Sequence, residues 1–125
     1  MAPGVPLLLG TNRDEATTLI KIDPSLTTAG MAGFIEGYVP GAGAAVVAEY
    51  PPTSFNATKY GSAAFWAANA AMADREMTCA ARRTARWAKA VNSSGAFVYF
   101  YTHKLAITPL VELADKKALG VFHGR

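Results

Sequence analysis

Two histidines, nine carboxylates and one cysteine are the main stock this chain offers for acid–base and nucleophilic chemistry. Serine-type hydrolysis needs a nucleophile, a base beside it and an acid that orients the base. On an α/β scaffold the nucleophile sits in a Gly-x-Ser-x-Gly turn. None of Ser25, Ser54, Ser62, Ser93 and Ser94 stands in one. Ser62 follows Gly61, but Tyr60 and Ala64 hold the two glycine positions. Cys79 falls inside a predicted helix with no histidine near it in sequence, a poor setting for a nucleophile. His103 and His123 are 123 − 103 = 20 positions apart, with no His-x-x-x-His or Cys-x-x-Cys pattern, so no metal site is read. Gly41-Ala42-Gly43 lacks the following Lys-Ser/Thr of a phosphate loop, and no cofactor is expected.

Two places remain. One is Leu9-Gly10-Thr11-Asn12-Arg13-Asp14-Glu15, where an apolar run ends in a turn rich in carboxylates. The C-terminal end of a parallel strand is where catalytic groups collect in open α/β sheets. The other is His123, set between Gly120 and Gly124, which suit a loop with close backbone approach. Taken singly each has a plain reading, as a solvated or capping turn and as a surface histidine.

The elements that must position them follow from periodicity. Val5–Leu9 is a short, wholly apolar run of the kind that makes a buried parallel strand, with Pro6 near its start. Thr11 or Asn12 is placed to cap a short helix through Glu15 to Ile20. Asp23-Pro24-Ser25 reads as a turn and helix start. Residues 28–38 place Met31, Phe34, Ile35 and Tyr38 at helical spacing, and residues 42–50 suit a second short helix ended by Pro51-Pro52. Residues 60–91 form the strongest helical region, interrupted at Asp74. From Met77 the apolar positions Ala80, Ala81, Thr84, Trp87, Ala88 and Val91 form one stripe, with Arg75, Arg82, Arg86 and Lys89 opposite. Asn92-Ser93-Ser94-Gly95 ends that helix, residues 96–102 are an aromatic strand, and residues 110–119 hold one helical turn.

Strand, helices, strand implies an α/β, helix-rich fold with about two parallel strands. Two strands cannot cover their own edges or faces, so they are expected to belong to a larger sheet. Half the chain is apolar (51%), enough for a core. A net charge of +3 is too mild to imply nucleic acid. Nor does any apolar run reach the roughly 20 residues of a membrane helix. The apolar start, residues 1–10, has no basic region and is not read as a signal peptide. Sequons at Asn56 and Asn92 lean towards a secreted, glycosylated parent. A lone cysteine, Cys79, excludes a disulfide within the chain and reads from the count as a buried thiol.

Taken together the residues resemble the type-B carboxylesterase/cholinesterase family of α/β-hydrolases. Gly10-Thr11-Asn12-Arg13-Asp14-Glu15 is similar to the family's Gly-x-Asn-x-Asp-Glu-Gly segment, with Ala16 in the last glycine's place. Asp74 to Cys79 resembles its Asp-x-x-x-x-Cys helix start, with Ala80 where proline is usual. Residues 97–103 resemble the aromatic strand that follows, and Gly120-Val121-Phe122-His123-Gly124 the Gly-x-x-His-Gly segment. The four matches come in order over nearly the whole chain, and the 123 − 15 = 108 positions from Glu15 to His123 fit the family's spacing.

The resemblance implies a partial α/β-hydrolase fold, residues 1–125 being a C-terminal-side portion incomplete at both ends, with the serine upstream. It implies a serine carboxylic ester hydrolase with Glu15 as triad acid and His123 as base. Its substrate would be a small-molecule or lipid ester. Cys79 would be a half-cystine whose partner lies beyond Arg125. Two other readings stay open: a non-catalytic adhesion or binding relative (or a degenerate remnant), and a basic helical binding module built on Arg75, Arg82, Arg83, Arg86 and Lys89 with Trp87 nearby.

Overall fold

The computed structural model describes residues 4–91 and 94–103 of the chain. The helical turn expected within residues 110–119 lies outside them. The described part is helix-rich, with one two-stranded parallel sheet, as the alternation of strand and helix implies.

Strand β1 (Leu7–Asn12) pairs in parallel with β2 (Ala96–Tyr101), Leu7 opposite Ala96 and Asn12 opposite Tyr101. β1 starts two residues later than its apolar run and continues into polar Gly10-Thr11-Asn12. The ladder decides this. Pro6 has no N–H to give, whereas Leu7 N–H donates to Gly95 C=O (3.2 Å) and Arg13 N–H still donates to Tyr101 C=O (2.9 Å). Gly10 sits opposite Tyr99, whose ring occupies the space a Cβ at position 10 would need. Pairing by backbone therefore carries the strand past the end of its hydrophobic signal.

Helix α1 (Ala16–Leu19) is a single turn, and neither Thr11 nor Asn12 caps it, contrary to expectation. Both residues are committed to the ladder, so the helix begins only after Glu15. Helix α2 (Thr28–Tyr38) spans the expected residues and is capped by Thr27, whose side chain accepts from Gly30 N–H (3.0 Å). Asp23-Pro24-Ser25 is a turn alone, not a helix start. Asp23 Oδ1 accepts from both the backbone and the hydroxyl of Ser25. Helix α3 (Gly43–Glu49) follows a reversal at Gly41, which takes φ +80°.

Helix α4 (Ala63–Ala73), a π turn (Asp74–Thr78) and α5 (Cys79–Val91) run on without a break. Ser62 anchors the start. Its hydroxyl accepts from Phe65 N–H (3.0 Å) and donates to Leu26 C=O (2.6 Å), and its own N–H donates to Pro24 C=O. Asp74, expected as an interruption and as a cap or a partner of a buried donor, ends the α-helical stretch, opens the π turn and accepts a hydrogen bond from Tyr50 hydroxyl (2.6 Å).

The core gathers around α4. Met31 and Ile35 of α2, Met72 of α4, Phe65, Ile22 and Ala16 are buried together. Alanines at 64, 67, 68, 71 and 73 let the neighbouring elements approach closely. α5 packs on the sheet by a face shifted from the one its apolar spacing marked, Ala88 being common to both and Met77, Ala80 and Ala81 half-buried. Thr78, Ala85 and Ala88 are buried, while Thr84 is exposed and Trp87 and Val91 are 58% and 59% exposed. Small residues give a flat seam against the strands, and the bulky ones turn outward. On β2, Phe97 to Tyr101 are all between 44% and 61% exposed.

Candidate functional site

Glu15 stands three residues beyond β1, at the C-terminal end of the parallel pair. It is 4% exposed, the one buried carboxylate among the described residues. Its Oε1 accepts from Asn12 N–H at 2.7 Å. The geometry of a parallel ladder explains why that N–H is available. Leu7 and Arg13, an even number of residues apart, both donate to the β2 side, so alternation turns the N–H of Asn12 to the opposite edge. The strand thus ends with a donor aimed at the carboxylate that follows it.

The turn separates its two acids. Asp14 pairs with the exposed Arg13 guanidinium at 2.9 Å, while its backbone C=O accepts from Thr17 N–H and hydroxyl. Glu15 alone of the two is buried, as are Thr11 and Ala16. At Ala16, where the resembling family carries glycine, the residue is helical and 2% exposed, and no non-glycine residue described has positive φ. A methyl group therefore fits this turn without strain. A carboxylate held this way is fixed in place, and an ionised carboxylate accepts several hydrogen bonds at once. Chemically it suits the orientation of a partner donor, such as an imidazole N–H.

His123, the expected base, and Asn92, the second expected glycosylation site, lie outside the described residues. His103 is exposed just beyond β2, its ring 6.4 Å from that of Tyr101. Cys79 is half-buried at the start of α5 and is a free thiol among the described residues. Asn56 is exposed between the 3₁₀ turn Pro52–Ser54 and α4. The hydroxyl of its sequon partner Thr58 accepts from Tyr60 N–H and Trp66 Nε1–H. Among the described residues no cluster of three or more His, Cys, Asp or Glu could hold a metal ion, and no helix is long and apolar enough to cross a membrane.

Three polar arrangements were not read from sequence. Burial, and then the hydrogen bond to Asp74, push the Tyr50 hydroxyl well above the ordinary tyrosine range. Glu36 accepts from Gly41 N–H (2.6 Å) and Gly43 N–H (2.8 Å), clasping the α2–α3 turn. Buried Asn69 donates to Phe65 C=O, but its Oδ1 has no partner. Only the clasp had a local signal, an acid five and seven residues before two glycines; the Tyr50–Asp74 contact spans 24 positions.

Comparison with family models, with curated proteins and with solved structures gives no match for this chain.

Proposed function

We propose that this chain carries the acid and the base of a serine carboxylic ester hydrolase. Glu15 is the acid, His123 the base, and the nucleophilic serine lies outside this sequence. The observation that carries the reading is Glu15, a buried carboxylate at the C-terminal end of a parallel strand, anchored through one oxygen to Asn12 N–H. The motif resemblance at Gly10–Glu15 and Gly120–Gly124 names its partner. The edges left unpaired among the described residues and the exposed aromatic residues of β2 support a place within a larger α/β-hydrolase sheet.

In that setting Glu15 accepts a hydrogen bond from His123 Nδ1–H, which fixes the tautomer and stabilises the imidazolium as it forms. His123 Nε2 takes the serine proton as the hydroxyl attacks the ester carbonyl, and returns it to the leaving alcohol. The substrate class is a small-molecule or lipid ester.

The test is ester hydrolysis by the protein expressed from its complete coding sequence. Turnover of a p-nitrophenyl ester, blocked by a fluorophosphonate, is expected. Glu15→Gln should lower kcat by about 10²–10⁴-fold and His123→Ala by about 10⁴-fold or more. Wild-type rates in either variant overturn the assignment.

A further inference from the structure

The outward face of α5 is the least explained surface of the molecule. Arg82, Arg83, Arg86 and Lys89 lie on it, all exposed, and Cys79–Val91 contains no acid. Among the described residues none of these four cations makes an ion pair. The nearest acid along the helix, Glu76, is already paired with Arg75. A cationic stripe without counter-charge on its own element calls for an anionic partner.

The side chains beside the stripe narrow the partner. Arg83, Trp87 and Val91 are spaced four apart and so form one row, next to the row of Arg82, Arg86 and Lys89. Trp87 and Val91 are 58% and 59% exposed because α5 seats its alanines, not its bulky residues, against the sheet. A dissolved polyanion has use for the cations and can stack on an indole, but offers nothing to an exposed valine. A bilayer surface takes all three: phosphates for the guanidinium groups, the headgroup boundary for the indole, the upper acyl region for the valine.

We infer that the outer face of α5 docks on a membrane surface rich in anionic lipid, with Arg82, Arg83, Arg86 and Lys89 on the headgroups and Trp87 and Val91 at the acyl boundary. The docking is peripheral, electrostatic and reversible, and it does not depend on the triad reading.

Co-sedimentation of the full chain with vesicles tests it. Vesicles of phosphatidylcholine with about 30% phosphatidylserine should bind the chain, phosphatidylcholine alone should not, and about 0.5 M salt should release it. Each of Arg82→Gln, Arg83→Gln, Arg86→Gln and Lys89→Gln should weaken binding about five-fold. The triple variant Arg82→Lys, Arg83→Lys, Arg86→Lys should retain it. Trp87→Ala should weaken binding with little change in its salt dependence. All these positions are exposed, and circular dichroism checks that each variant is folded. Equal binding to both vesicle types, no binding to the anionic ones, or glutamine variants that bind like wild type overturn the inference. Retention by heparin or DNA without vesicle binding also overturns it and gives the face to a soluble polyanion.

Discussion

Tyr50 shows how a single side chain ties distant parts of this chain together. Its hydroxyl donates to Asp74 at the π turn, and burial together with that carboxylate raises its pKa. A group whose pKa is higher folded than unfolded contributes stability that is fully present below the unfolded value. That stability is lost as pH rises through the folded value. Urea unfolding of wild type should therefore show a loss above about pH 10 that Tyr50→Phe lacks. At neutral pH Tyr50→Phe should cost about 1–2 kcal/mol, because Asp74 loses its donor while still half-buried. At this scale the sequence was readable where chemistry is local. Glu15 stood out as a carboxylate closing a strand, and the structure buries it and turns the neighbouring Asp14 to Arg13. Tyr50 was not readable, since no local pattern links it to a residue 24 positions on.

Among the elements, spacing identified α2, α3 and the α4–α5 region and missed what depends on neighbours. β1 ends where its hydrogen bonds with β2 end, not where Leu9 ends its apolar run. α5 presents Ala85 and Ala88 to the sheet although Trp87 and Val91 are more apolar, because close approach to a strand pair favours small side chains. Hydrophobicity marks a stripe that includes Ala88, but the width of the gap decides which part of it is used. Ser62 illustrates a boundary that was legible only in part. It caps α4, and it also holds Leu26 C=O, a contact 36 residues away that no capping pattern encodes. Ser62→Ala should lower stability by about 1–2 kcal/mol in chemical denaturation, from the lost cap and the orphaned carbonyl together. Ser62→Thr keeps the hydroxyl and should recover most of it.

Over the whole molecule, a well-packed helical core stands beside a two-stranded sheet whose aromatic side chains remain exposed. Removing a fully buried side chain such as Met31 should cost about 2–4 kcal/mol as Met31→Ala in urea unfolding. Tyr38→Ala, at a position 42% exposed on the same helix, should cost less than Met31→Ala. The parallel pair and the helix-rich architecture were legible because strands separated by helices allow little else. What covers the edges and faces of that pair was not, since these are satisfied by groups that periodicity does not name. The central proposal is that Glu15 holds His123 across most of the chain's length, and pairing of a carboxylate with an imidazole favours the protonated ring. The direct measurement is a proton NMR titration of the His123 ring in the His103→Gln background, where it is the one histidine left in this sequence. Adding Glu15→Gln should lower the His123 pKa by about one unit. The same titration curve with and without the Glu15 carboxylate would contradict the pairing and, with it, the hydrolase reading.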